Sequence, residues 1–132
     1  MESNPGNSPL IGIVGVCASG KTTLIRRLTE LGFRCRHIAQ EHSYVPSMWF
    51  KITHPDYLVY LQVDYPTTIS RKQLDWTQAE YDEQIYRLRD AYAHANLVID
   101  TSRLSLDATV DRITVQLRAA GIEPTPPALE KV

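Results

Sequence analysis

The chain has 132 residues, 43% hydrophobic and 22% charged, with a formal net charge of −1. That suffices for one small domain with its own core, and it excludes a polyanion held by bulk charge, so no nucleic-acid partner is expected. No apolar run approaches the ~20 residues a membrane span needs, so no membrane association is expected either.

Met1 to Pro9 have neither the basic region nor the apolar stretch of a secretory leader and are expected to form a flexible N-terminal tail. Leu10-Ile11-Gly12-Ile13-Val14 reads as a buried strand. It runs into Gly15-Val16-Cys17-Ala18-Ser19-Gly20-Lys21-Thr22, a complete Walker A pattern, followed by Thr23. Small residues let successive backbone N–H groups turn inward around phosphate oxygens. Lys21 is then expected to reach the β- and γ-phosphates, and the Thr22 hydroxyl to hold Mg²⁺. Lys21 to Leu31 reads as an amphipathic helix with Leu24, Ile25, Leu28 and Leu31 on one stripe, and its dipole adds to the same anion site. Strand, glycine loop and helix is the context that confirms the motif.

Cys17 has two readings. Beside Lys21 and a helix N-terminus its thiol is a redox candidate, or it is a small residue that fits the loop. With Cys35 it makes neither a disulfide framework nor a metal site, which points to the cytoplasm.

Further along, Phe33 to Ala39 alternates with period two after Gly32, a helix C-cap. Tyr57 to Val63 is nearly continuous apolar sequence, as a strand covered on both faces should be. Thr77-Gln78-Ala79-Glu80 has capping-box spacing and opens a helix with a Tyr81, Ile85, Leu88 and Tyr92 stripe. Leu97 to Ile99 is a short last strand. Ser105 to about Ala120 is the last helix, closed by Gly121, and residues 122–132, with Pro124, Pro126 and Pro127, are expected to be a flexible C-terminal tail. The domain is thus residues 10–121: an α/β fold of three layers, with a parallel sheet of about four strands flanked by helices and joined by right-handed crossovers. Ligands in such sheets sit beyond the carboxyl ends of the strands, which singles out Gln40, Glu41 and His42, Asp64, and Asp100, Thr101 and Ser102.

Gly15 to Thr23 resembles the loop of P-loop kinases of nucleosides, nucleotides and small metabolites. Its Ala-Ser-Gly-Lys-Thr-Thr core is especially similar to uridine kinases. Tyr60-Leu61-Gln62-Val63-Asp64, leading through Pro66 to Arg71, is similar to the strand and helix before the lid of these enzymes. Leu97 to Ser102 resembles their last strand and the turn where they often seat the base. The resemblance implies a P-loop NTPase fold, with ATP and Mg²⁺ bound by Gly15, Val16, Cys17, Ala18, Ser19, Gly20, Lys21, Thr22 and Thr23. The family usually has five core strands, however, and only four are found here. The segment from Gln40 to Tyr57 is short for the family's acceptor-binding elements. No Asn-Lys-x-Asp guanine motif is present, which favours ATP over GTP.

Several residues carry two readings each. Glu41 is a base for a substrate hydroxyl or a Mg²⁺ ligand through water, against an exposed loop glutamate. His42 is functional or simply polar surface. Asp64 is a metal ligand or a turn former before Pro66. Arg71, with Arg87 and Arg89, brings charge to the phosphates from a mobile Ser70–Arg89 lid, or belongs to a solvated face balanced by nearby acids. Tyr44, Met48, Trp49 and Phe50 line an acceptor pocket or cap the sheet. The expected activity is transfer of the ATP γ-phosphate to a small-molecule acceptor hydroxyl, with Lys21, Glu41 and Arg71 catalytic and Thr22 and Asp64 on the metal. Nucleotide hydrolysis and a non-catalytic nucleotide switch remain as alternatives. The oligomeric state, monomer or homodimer, stays open.

Overall fold

The computed structural model describes residues 8–72 and 75–125. Strand β1 (Leu10–Gly15) leads into helix α1 (Lys21–Glu30), strand β2 (Arg34–His37), a single 3₁₀ turn (Gln40–His42) and helix α2 (Met48–Thr53). Strand β3 (Tyr57–Gln62) is followed by α3 (Tyr65–Lys72), α4 (Gln78–Arg87) and α5 (Arg89–His94), then β4 (Leu97–Asp100) and α6 (Leu106–Ala119). The strands form one sheet in the order β2-β1-β3-β4, with every pairing parallel.

Parallel strands must be covered on both faces, and here they are. On one face Ile11, Ile13, Val59 and Leu61 meet Leu24 and Leu28 of α1 and Val110, Ile113 and Leu117 of α6. On the other, Val14, Leu58 and Tyr60 meet Trp49 of α2 with Leu88 and Ala91 around α5. Alternating strand residues supply both cores, which is why β1 is apolar throughout. β2, at the sheet edge, has no fully buried residue.

Local rules set most boundaries. The capping box at the start of α4 is fully formed: the Thr77 hydroxyl accepts from the Glu80 N–H, and the Glu80 carboxylate accepts from the Thr77 N–H. Helix α1 ends on a left-handed Gly32 (φ 106°), where the Gly32 and Phe33 N–H groups return to the Thr29 and Leu28 carbonyls. The same closure ends α6, through the N–H groups of Gly121 and Ile122. It folds Ile122 back into the core, and Thr125 N–H then donates to the Gly32 carbonyl at 2.8 Å. Of residues 122–125, expected to belong to a loose tail, Ile122 is therefore in the core and Thr125 is tied to Gly32, while Glu123 is exposed. The remainder of both tails, residues 1–7 and 126–132, lies outside the described residues.

The continuous helix expected after Thr77 is two helices. Two carbonyls at the junction accept from side chains. Arg89 donates to the Tyr86 carbonyl at 2.8 Å and the Gln40 amide to the Arg87 carbonyl at 3.2 Å. The apolar stripe runs on across the break, which is why periodicity alone does not reveal it.

Candidate functional site

The carboxyl ends of β1, β3 and β4 and the turn after β2 meet at one rim. β1 ends at Gly15, where a side chain would not fit: a Cβ there would lie 2.7 Å from the Leu61 carbonyl oxygen and 2.8 Å from the Ser19 hydroxyl. The loop turns through two left-handed residues, Ala18 (φ 68°) and Gly20 (φ 95°), and Gly20 caps α1. A Cβ built on Gly20 meets nothing within 4 Å, so this stretch of backbone faces open space.

Lys21 is 7% exposed and turned back over the loop. Its Nζ donates to the Gly15 carbonyl at 2.6 Å and the Val16 carbonyl at 3.0 Å, and sits 3.0 Å from Glu41 Oε2. Glu41 is 3% exposed, so the reading of an exposed loop glutamate does not hold. Its other oxygen, Oε1, has no hydrogen-bond partner, and neither does the Ser19 hydroxyl, which is also buried. Two orphaned oxygens beside an open loop leave polar capacity unused, which buried groups seldom do.

Two cavities meet at the start of α1, sharing Gly20 and Thr23. One, about 240 Å³, is lined by Cys17, Ala18, Lys21, Thr22, His37 and Glu41. Burial and the Lys21 charge hold His37 below the ordinary imidazole range. The other, about 260 Å³, is mostly apolar, walled by Leu24, Leu61, Leu104 and Leu106, with Ser19, Thr101 and Arg71 at its polar side. Together they fall within the ~300–1,000 Å³ usual for small-molecule sites. Arg71 enters from α3. Its guanidinium donates to the Thr101 carbonyl and hydroxyl, and to the Ala18 carbonyl at 3.4 Å, tying the loop to the turn after β4.

Other candidates are placed elsewhere. Asp64 does not line the Lys21 cavity. It caps α3, with Oδ1 accepting from the Thr67 N–H at 2.9 Å, and these bonds to Thr67 hold its carboxyl below the usual range. The turn-forming reading is the one observed, and Asp64 belongs to a separate hollow with Tyr81 and Arg89. Arg87 and Arg89, paired in the sequence reading, diverge. Arg87 donates to the Glu41 carbonyl at 3.3 Å and lies 4.2 Å over the Tyr44 ring, whereas Arg89 stacks on Tyr86. Trp49 is a core residue whose indole N–H donates to Asp90 at 2.8 Å, and Phe50 is half exposed, so the aromatic acceptor pocket does not form. Gln40 is 1% exposed and structural, since its side chain also binds the Trp49 N–H and the Val45 carbonyl.

Sequence reasoning missed Gln84. From α4 its Oε1 accepts from the Cys17 N–H at 3.0 Å, and its Nε2 lies 3.3 Å from Cys17 Sγ. Nothing in the polar run around Gln84 signalled it, since its burial comes from the contact with the loop. That contact shows that the segment expected to be a mobile lid is docked on the loop here. Gln73 and Leu74 in that segment lie outside the described residues, as does the side chain of Lys72. Cys35 is half-buried in the edge strand, where desolvation pushes its thiol up to about 12; Cys17 sits at the site mouth, and neither is in a disulfide.

No protein-family model matches the sequence, and no curated protein does. The fold is that of an α/β protein with a four-stranded, all-parallel sheet flanked by helices. No helix among the described residues is long and apolar enough to cross a membrane.

Proposed function

We propose that Gly15–Thr22 is a phosphate-binding loop of the P-loop NTPase kind. On this reading the loop takes Mg·ATP, and the chain transfers the γ-phosphate to a hydroxyl of a nucleoside, nucleotide or other small metabolite. The observation that carries the reading is the setting of Gly20: open backbone at a helix N-terminus, with a buried lysine beside it and a cavity on either side. A helix N-terminus with free N–H groups attracts anions. The apolar cavity suits a flat base, since leucine side chains and a guanidinium plane both stack on π faces. The polar cavity holds the groups that act on phosphate and acceptor.

Each residue then has a role. Lys21 exchanges its two loop carbonyls for phosphate oxygens. Glu41, released from that ion pair, accepts the acceptor hydroxyl's proton. Thr22 is suited to hold a hydrated Mg²⁺, which when bound would neutralise charge on the transferring phosphoryl group. Arg71 reaches from the base side to the loop. Docked α4 holds the loop at Cys17 through Gln84.

A coupled ADP-release assay across nucleosides and small alcohols tests this. Stimulation by one compound is expected. Steady turnover that no compound changes would make the chain a hydrolase, and silence with tight nucleotide binding would make it a switch; either overturns the kinase reading.

A further inference from the structure

We infer that Cys17, Glu41 and His42 form a binding site for a soft divalent cation, Zn²⁺ in particular, at the mouth of the loop. One ligand atom from each of the three residues lies within 4.8 Å of the other two. Cys17 Sγ is 3.9 Å from His42 Nε2, which is 3.7 Å from Glu41 Oε2. Ligands held about 2.0–2.3 Å from a tetrahedral zinc stand roughly 3.3–3.8 Å apart, so small side-chain shifts close the set.

A second observation points the same way. Glu41 is 3% exposed and its Oε1 has no partner, so a buried carboxylate beside the thiol and imidazole keeps unused ligand capacity. The two ligand-bearing segments are fixed independently. The Cys17 backbone is held by Gln84, and the Gln40–His42 turn is held by the Gln40 amide bonds. The Gln84 amide N–H also points at Cys17 Sγ, and such donors stabilise a metal-bound thiolate.

Sulfur, imidazole nitrogen and carboxylate together select zinc over magnesium or calcium, which take oxygen ligands. Three protein ligands leave the fourth position to water, and His42, 59% exposed, stands on the solvent side. The Lys21 charge, 3.0 Å from Glu41, opposes the cation and makes the site weaker than a closed four-ligand one. Binding releases the Cys17 thiol proton to solvent. None of this requires that the loop take a nucleotide.

The test uses the full chain without nucleotide, titrated with Zn²⁺ against a chromophoric chelator and with Co²⁺ for the thiolate-to-metal charge-transfer absorption. One equivalent of Zn²⁺ is expected to bind. Cys17→Ser should abolish the cobalt absorption, and Cys17→Ser and His42→Ala should each weaken Zn²⁺ at least about tenfold, the loss that even an outer-shell partner causes. His54→Ala, at an exposed position beyond α2, should change nothing. His42 is exposed enough that its removal leaves the packing intact, so that arm stands even if Cys17→Ser folds poorly. Absence of stoichiometric Zn²⁺ binding, or an affinity unchanged by His42→Ala, would overturn the site.

Discussion

Lys21→Ala is expected to remove the Mg·ATP-dependent rise in melting temperature and to lower the melting temperature of the free protein by about 10–20 °C. The first effect follows from the proposed phosphate contact. The second follows from burial: Lys21 and Glu41 are 7% and 3% exposed and 3.0 Å apart, so alanine leaves Glu41 charged in the interior. Removing one member of a buried pair costs about 3–5 kcal/mol, a large share of the ~5–15 kcal/mol that holds a domain of this kind together. The double variant Lys21→Met/Glu41→Gln removes both charges and should regain most of the lost stability without regaining nucleotide binding. Thermal melts with and without Mg·ATP read both effects. A single variant that melts like the parent would contradict the buried pair, and a retained nucleotide shift would contradict the phosphate role.

Arg71→Ala is expected to slow phosphoryl transfer on the order of 10³-fold while weakening ATP binding less than about tenfold. The guanidinium already touches the loop at the Ala18 carbonyl and is otherwise held by Thr101, so it sits between the apolar cavity and the loop. Charge on the equatorial oxygens develops in the transition state, and a contact made chiefly then shows in rate and not in affinity. Single-turnover transfer measured beside nucleotide titration separates the two. Equal losses would mean that Arg71 only holds the bound base. No loss in either would leave it as a strut between α3 and the turn after β4.

The loop, the strand–helix alternation and the rim were legible because each is written locally. Gly15, Gly20 and Gly32 punctuate the chain, Thr77 and Glu80 form their cap through neighbours in sequence, and β1 and β3 are apolar enough to declare burial on both faces. Glu41 was legible as a candidate because it follows the strand after α1. Its burial was not, because that depends on Lys21 folding back and on α4 lying across the turn. Helix α2 is six residues long, too short to show a period. Gln40 was singled out only by its place on the rim and Gln84 not at all, because each satisfies backbone groups from a distant segment. Asp64 was ambiguous because a carboxylate before a proline serves a helix cap as well as it serves a metal. Ile122 was hidden by the prolines that follow it, although the glycine before it already prescribed a closure that turns the next residue inward.

The most direct measurement is a backbone amide NMR titration of the free protein with Mg·ATP. Binding at the loop predicts saturable shifts that are largest at Gly20, Lys21 and Thr22, with a second group around Thr101 where the base would lie. Shifts that never saturate, or that cluster in the hollow of Asp64, Tyr81 and Arg89 and leave Gly20 to Thr22 unmoved, would contradict it.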